Sequence, residues 1–244
     1  VRGRLHDIFE TAEADGLRQP PNPAGKAQLK TRLITSASAN EERHHPSLPY
    51  SEIPRFMSHL RGKESLGAKA LEFLILTNVR DAGVRAARWA EIDFEKRAWV
   101  VPLTRNKAGK GPHEAALSDA AIDLLNSLDR SSELVFPSVS GKPLADPFRR
   151  TIQIMQRQAS QKYIDPQEFD DGGKPRGIVP HGFRSTFKTY MSERTQFDTM
   201  AIERCMQHTP QNPLDKNYMR SSMLEIRLQA MNEWSDYCAT LLES

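Results

Sequence analysis

The segment 64-ESLGAKALEFLILTN-78 carries the clearest fold signal in the chain. Its apolar side chains recur every three or four residues and cover nearly the whole circumference of a helix: Leu66, Ala70, Leu71, Phe73, Leu74 and Ile75. A helix that is apolar on most sides is buried. The segment therefore predicts a core helix inside a globular domain.

The residues around this segment predict a mostly helical domain. Apolar periodicity indicates further helices at 50–60, 118–128, 146–159, 182–194, 198–207 and 221–242. Short apolar runs at 99–102 and 113–117 flank the turn 105-RNKAGKGP-112 and predict two strands. Residues 161–177 read as a polar insertion. The predicted fold class is mainly α with a small antiparallel β-sheet (α+β).

The first 45 residues differ from the rest. Residues 1–16 place apolar side chains on one helical face, and Gly16 ends the pattern. The stretch that follows holds Pro20, Pro21 and Pro23 and shows no lasting periodicity, which is typical of a linker. We expect the first helix to be the tail of an upstream domain that this chain mostly lacks.

Composition excludes some classes of protein. No apolar run approaches the roughly 20 residues of a transmembrane helix, so no membrane partner is expected. With 34 Lys and Arg against 31 Asp and Glu, the net charge is +3, which is compatible with nucleic-acid binding without proving it. Two cysteines, Cys205 and Cys238, make no disulfide framework and favour a reducing cytoplasm.

Six residues with catalytic chemistry follow one another in recognisable local contexts. One comes directly after the core helix, one lies in the turn 105–112, two belong to 180-PHGFRSTF-187, and two stand ten residues apart in 206-MQHTPQNPLDKNYMR-220. They are, in chain order, Arg80, Lys107, His181, Arg184, His208 and Tyr218.

Five of these six residues also have a purely structural explanation. Arg80 could cap a helix end, Lys107 could be a solvated turn lysine, and Tyr218 could be a packed tyrosine. His181 and Arg184 could form a surface pair on one helical face. The ordered set, rather than any single member, favours a functional site.

In that order the segments resemble the tyrosine recombinases, above all integrases of the phage-satellite and genomic-island type. The stretch 71-LEFLILTNVRDAGVRAARWAEID-93 is similar to the first conserved box of that family, and 44-HHPSLPY-50 to the start of its catalytic domain. The segment 180–187 matches its His-x-x-Arg box, and 206–220 its closing histidine and tyrosine. The resemblance covers the chain from about His44 to Cys238.

The resemblance implies the fold of the DNA breaking–rejoining enzymes and the activity of a site-specific DNA recombinase. Such an enzyme cleaves and rejoins duplex DNA through a covalent 3′-phosphotyrosine and integrates or excises a prophage or genomic island. Tyr218 would be the nucleophile. Arg80 and Arg184 would clamp the non-bridging phosphate oxygens, because planar guanidinium groups bind two oxygens at once.

The remaining roles also follow from the resemblance. Lys107 would protonate the departing 5′-oxygen, His181 would act as acid and base, and His208 would hydrogen-bond the phosphate. No cofactor is expected, because the cationic side chains neutralise the phosphate. No metal is expected either: Cys205 and His208 stand three apart, but no second closely spaced ligand pair accompanies them.

Domains and partners are implied in the same way. Residues 1–18 would be the C-terminal helix of an upstream core-binding domain, 19–45 a linker and 46–244 the catalytic integrase domain. The partner would be double-stranded DNA at attachment sites, bound by a homo-tetramer that is monomeric when free, with possible accessory DNA-bending or excisionase proteins. The protein would work in the bacterial cytoplasm, at the nucleoid. Candidate contacts to the DNA backbone are Arg105, Lys110, Arg149, Arg150 and Lys188.

One position departs from the family. The box around Arg80 usually reads Arg-x-x-Glu, whereas Gly83 stands here at the acidic position, with Asp81 as a possible substitute. If the missing carboxylate limits catalysis, Gly83→Glu should raise the cleavage rate without tightening DNA binding. Two alternatives stay open: a non-enzymatic DNA-binding relic of the same fold, and a type IB topoisomerase, which shares the chemistry but matches the segments at 44–50 and 71–93 less well.

Overall fold

The computed structural model describes residues 2–25, 29, 44–105, 112–208 and 223–240, and the chain divides into two compact units, 1–44 and 45–244. The first unit contains helix α1 (Arg2–Ala14), as predicted. The segment after α1 folds back onto it, because the amide of Asn22 donates to the carbonyl oxygen of His6 at 2.9 Å.

The second unit is mainly helical. Three short 3₁₀ turns, Tyr50–Glu52, Trp89–Glu91 and Leu103–Arg105, join some of its elements. Its described α-helices are α2 (Ile53–Arg61), α3 (Leu66–Thr77), α4 (Asp81–Arg85), α5 (Asp119–Asn126), α6 (Pro147–Gln158), α7 (Gly182–Arg194), α8 (Thr199–Cys205) and α9 (Leu224–Ala239).

Helix α3 is the centre of the core, as its sequence predicted. Ser65 caps its first turn by accepting a hydrogen bond from the Ala68 amide, and Asn78 ends it in the left-handed conformation, with φ of 53°. Helices α2, α5, α6 and α9 all pack against it. Trp234 of α9 is fully buried and donates its indole N–H to the carbonyl oxygen of Ile75 at 2.9 Å.

A three-stranded antiparallel sheet lies beside this helix. It consists of β1 (Ile92–Asp93), β2 (Ala98–Val101) and β3 (His113–Ala116), in that order. Trp99 on the central strand pairs with Ile92 and Ala115, and its ring lies 5.3 Å from that of Phe73 on α3. The predicted fold class, mainly α with a small antiparallel sheet, is confirmed. Strand β1 was not predicted, because two residues are too short for a pattern.

The segment predicted as a polar insertion contains a second antiparallel pair, β4 (Ile164–Phe169) and β5 (Pro175–Gly177). The pair shows no alternation of apolar residues, because a buried carboxylate and not an apolar face attaches it to the rest of the unit. Asp165 is 6% exposed and accepts hydrogen bonds from the amide and hydroxyl of Ser47 at 2.7 and 3.1 Å. This pair of bonds fixes the hairpin to the chain segment that leads into α2.

The predicted helix boundaries hold to within a few residues. The helix expected at 198–207 ends at Cys205, and α9 covers the described part of 221–242. None of the described helices is long and apolar enough to cross a membrane.

His113 on β3 is a buried titratable group. It is 9% exposed, and its Nε2 atom has no hydrogen-bond partner among the described residues. Burial, together with the charges of Arg227, Arg184 and Arg80, lowers the pKa of His113 to about 3. The ring is therefore neutral in the folded protein at pH 7.

We predict that this burial makes stability depend on pH. An unfolded histidine titrates near pH ~6.5, so between about pH 6.5 and pH 3 the unfolded state binds the extra proton and stability falls as the pH falls. The loss between pH 7 and pH 5 should be about 2 kcal/mol. Urea denaturation at both pH values measures it. In His113→Gln the difference between the two pH values should shrink by that amount, whereas the exposed His44→Gln controls for loss of a histidine. An unchanged difference in His113→Gln would contradict the prediction.

Candidate active site

The site begins at the first turn of α7, in the segment 180–187. His181 is the N-cap residue of this helix, and Arg184 lies one turn further on. A Cβ atom at Gly182 would overlap the backbone of Pro46, so glycine allows the start of α7 to lie against the segment 46–47. This close approach places Arg184 in the interior.

Arg184 is held by the ends of two helices. Arg184 is 5% exposed, and its guanidinium donates to the carbonyl oxygens of Asn78 and Met206, the C-cap residues of α3 and α8. The last carbonyls of a helix lack partners within it and carry partial negative charge, so they stabilise a buried cation. Burial and the nearby Arg80 lower the pKa of Arg184 to about 9, against the opposing effect of Glu203. Arg184 stays charged at neutral pH.

His208 is positioned by the end of α8. The amides of Gln207 and His208 donate to the carbonyl oxygens of Arg204 and Glu203, at 3.2 and 3.0 Å. With Gln207 at φ of 58°, this is the Schellman arrangement, in which glycine is the usual left-handed residue. The His208 ring then lies between two partners: Nε2 is 3.1 Å from Nη2 of Arg184, and Nδ1 contacts the carboxylate of Glu203.

Gln207 has a second function that explains its unfavourable backbone conformation. Its side chain is buried, and Oε1 accepts a hydrogen bond of 2.9 Å from Nη1 of Arg80. A non-glycine residue in the left-handed region costs about 1–2 kcal/mol. Gln207, which bears this strain, is the residue that orients Arg80. Desolvation lowers the pKa of Arg80.

Arg80, His181 and Arg184 line one cavity of about 360 Å³. Arg149 of α6 and Arg176 of β5 line it as well, and with four arginines against the single acid Asp81 the cavity wall is cationic. Such a wall suits an anionic group with several oxygens, for example a phosphodiester.

His181 lines this cavity, and its ring packs edge-on against that of His45, with the centroids 4.6 Å apart. The residue keeps contact with solvent, but desolvation of the ring, followed by the charges of His45, Arg184 and Arg80, lowers the pKa of His181 to about 4. At neutral pH the imidazole is therefore neutral and can accept a proton.

The other predicted site residues are distributed as follows. Lys107, Lys110 and Tyr218 lie outside the described residues. Arg149 and Arg150 are exposed on α6, and both line a groove next to the cavity.

Two predicted DNA contacts have partners inside the protein. Lys188 pairs with Glu203, with Nζ and Oε1 2.6 Å apart. The guanidinium of Arg105 donates to the carbonyl oxygen of Ala86 and pairs with Glu91, so it closes the end of α4. Their role as DNA contacts stays a prediction.

Sequence reasoning missed the residues that hold the site together. Two of them act through backbone carbonyls, Asn78 and Met206, for which residue type gives no signal. Glu203 is five residues before His208, a spacing that is compatible with contact only because α8 ends between them. Within the part of the chain that the structure describes, no cluster of three or more His, Cys, Asp or Glu could hold a metal ion.

This fold is the one found in tyrosine recombinase catalytic domains. The Tn1549 transposon integrase in complex with circular intermediate DNA superposes with a TM-score of 0.56 at 18% identity, covering 90% of this chain and 73% of that one. A lambda integrase tetramer bound to a Holliday junction gives a TM-score of 0.57 at 15% identity, covering 87% of this chain and 58% of that one.

Residues 46–225 match the model of the phage integrase family, and the chain belongs to that family. Among curated proteins it is similar to the integrase of Enterobacteria phage P4, with 29% identity over 223 residues that cover 84% of this chain and 48% of the relative. The chain spans about half the length of the curated relatives it matches.

The structure changes the expectation for Gly83. This residue is buried in α4, and a Cβ atom there would lie 2.7 Å from Cγ1 of Val79 and 3.5 Å from Cγ1 of Val101. A glutamate at Gly83 would therefore need the core to move before it could support the arginines. Asp81 lines the cavity, and its carboxylate pairs with Arg85.

We predict that Gly83→Ala destabilises the protein by about 1–3 kcal/mol, the usual cost of adding a methyl group to a filled core. Val79→Ala removes the atom that the new methyl group would meet, so the penalty of Gly83→Ala should be smaller by about 1 kcal/mol in that background. Urea unfolding of the wild type, the two single variants and the double variant gives this coupling energy. Full stability of Gly83→Ala, or strictly additive effects, would contradict the packing described here.

Proposed function

We propose that this chain is the catalytic domain of a site-specific DNA recombinase that cleaves and rejoins duplex DNA at attachment sites. The observation that carries the proposal is the convergence of Arg80, His181 and Arg184 at one cationic cavity, with the ring of His208 in contact with Arg184. Membership of the phage integrase family supports it.

The two arginines would bind the scissile phosphate. A guanidinium has five N–H donors, and the three bonds of Arg184 described above leave two of them for a ligand. Because the helix ends hold its position before DNA arrives, little reorganisation is needed as negative charge develops on phosphorus. Arg80, held by Gln207, would be the second guanidinium that binds the phosphate.

The chemistry we propose is a transesterification. The phenolic oxygen of Tyr218 attacks phosphorus, a P–O bond to the tyrosine forms, and the bond to the 5′-oxygen breaks. The phenolic proton passes to His181, which is neutral at pH 7, and Lys107 supplies the proton that the departing oxygen needs. The reverse sequence rejoins the strand, and the bond energy of the ester is kept in the phosphotyrosine.

The assembly is part of the proposal. We infer that a homo-tetramer acts on two DNA sites, as the lambda integrase tetramer on a Holliday junction suggests, and that the free protein is a monomer. Residues 1–18 would end an upstream core-binding domain, and 19–45 would link it to the catalytic domain 46–244. Accessory DNA-bending or excisionase proteins would set direction, and the reaction would take place in the bacterial cytoplasm, at the nucleoid.

Tyr218→Phe should abolish the covalent adduct and leave folding and DNA affinity almost unchanged, because only the phenolic oxygen is lost. The chain is incubated with a nicked duplex that carries the attachment site of its element, and the adduct is resolved on a denaturing gel. Tyr190→Phe is the control and should still form the adduct. An adduct in Tyr218→Phe would overturn the assignment of the nucleophile. Specific binding without any adduct from the wild type would favour the DNA-binding relic.

The cationic cavity also predicts how DNA affinity responds to salt. Each neutralised phosphate contributes about −0.9 to the slope of log K against log salt concentration. Arg149→Ala should therefore make the slope shallower by about 0.9 and weaken binding. Arg157→Ala, an exposed arginine on the same helix that does not line the cavity, is the matched control. Fluorescence anisotropy at several salt concentrations gives both slopes, and equal slopes for the two variants would contradict the placement of DNA.

A further inference from the structure

We propose that Glu203 is a positioning residue for His208: its carboxylate fixes the proton on Nδ1 and supports the doubly protonated ring that a bound phosphate requires. The proposal rests on the proposed function, because it assigns a phosphate to the cavity. It concerns a residue that the six-residue catalytic set leaves out.

Both carboxylate oxygens of Glu203 and its backbone carbonyl oxygen have partners. One carboxylate oxygen contacts Nδ1 of His208, and the other pairs with Nζ of Lys188 at 2.6 Å. The carbonyl oxygen of Glu203 also accepts the backbone N–H of His208 at 3.0 Å. Lys188 lies one turn after Arg184 on α7, so this helix carries both ends of the side-chain network Lys188–Glu203–His208–Arg184.

The hydrogen bonds define the protonation state of His208 in the absence of DNA. A guanidinium can only donate, so Nε2 of His208 accepts from Arg184 and carries no proton. The single ring proton is then on Nδ1, where it is donated to Glu203. Burial lowers the pKa of His208, although the hydrogen bond to Glu203 opposes this effect, and the ring is neutral at pH 7.

A bound phosphate changes what His208 must do. A phosphate oxygen offers only lone pairs, so His208 can bind it only after Nε2 gains a proton. Since Nδ1 already donates to Glu203, the ring becomes an imidazolium. The described charges that face it are Arg184 of α7 and Arg80 at the start of α4, which oppose the proton, and Glu203 of α8, which favours it. His181 lies within electrostatic range as well.

Glu203 is itself kept charged. Desolvation acts to raise its pKa, but the hydrogen bonds from Lys188 and His208 hold the pKa of Glu203 below its ordinary value. Lys188 therefore contributes to this network, because it holds the carboxylate of Glu203 in the orientation that His208 needs. An amide at this position could accept the same hydrogen bond but would bring no negative charge.

The test is the pH profile of single-turnover cleavage on the nicked duplex. Loss of the His208 proton should lower the wild-type rate at high pH. In Glu203→Gln the fall should move about one pH unit lower, because the protonated ring loses its counter-charge. At pH 8 the variant should then cleave about tenfold more slowly, and it should approach the wild-type rate at low pH, with DNA affinity unchanged within twofold. Glu203→Asp should recover part of the difference, and Glu193→Gln, an exposed glutamate on α7, is the matched control.

Two results would overturn the proposal. A rate that falls equally at every pH, together with lost stability, would make Glu203 a structural residue only. A profile identical to that of the wild type would show that its charge has no effect on His208.

A measurement without catalysis separates this proposal from the proposed function. The ¹⁵N shifts of the His208 ring report its tautomer and its titration, with and without inorganic phosphate. In the wild type we expect the proton on Nδ1 and a rise in pKa on addition of phosphate, and both effects should weaken in Glu203→Gln. If the wild type forms no covalent adduct but shows these shifts, the recombinase function fails and the positioning role stands. A proton on Nε2 in the wild type would overturn the positioning role.

Discussion

The buried guanidinium of Arg184 is the interaction on which the site depends. Placing a cation in the interior is costly unless fixed dipoles surround it, and two helix C-termini supply those dipoles here through Asn78 and Met206. Because the carbonyls belong to α3 and α8 while the arginine belongs to α7, one side chain fixes the relative position of three helix ends. Arg80 and His208 follow two of these ends, so the same constraint brings Arg80 to the cavity and His208 into contact with Arg184.

The turns that close α3 and α8 show how function and stability share residues. Asn78 and Gln207 both adopt the left-handed conformation, with φ of 53° and 58°. Asparagine is a common left-handed residue, but glutamine is not. Its presence is explained by what the side chain and the turn achieve together: Oε1 of Gln207 holds Arg80, and the turn itself delivers His208. The surrounding contacts hold Gln207 in this strained conformation, and the result is that two candidate phosphate-binding residues are fixed in place.

The site also combines permanent and conditional charge. Arg80 and Arg184 stay protonated at neutral pH, whereas His181 and His208 are neutral because burial and the neighbouring arginines disfavour a further cation. An arriving phosphate supplies the negative charge that makes additional protons acceptable. In the proposed reaction, the two histidines would then exchange protons while the two guanidinium groups bind the phosphate.

The sequence by itself determined the helical class and the buried helix around Phe73, because apolar periodicity is a local property. It was the family resemblance of short segments that grouped Arg80, His181, Arg184 and His208 as candidate site residues. Only the tertiary structure decided what holds that set together. The partners of Arg184 are carbonyls that every residue carries, and the hairpin at 164–177 depends on the distant contact between Asp165 and Ser47. The room at Gly83 is set by Val79 and Val101 across a helix–sheet contact, and Glu203 reaches His208 through a helix end. These are contacts between segments, whose distances no local pattern encodes.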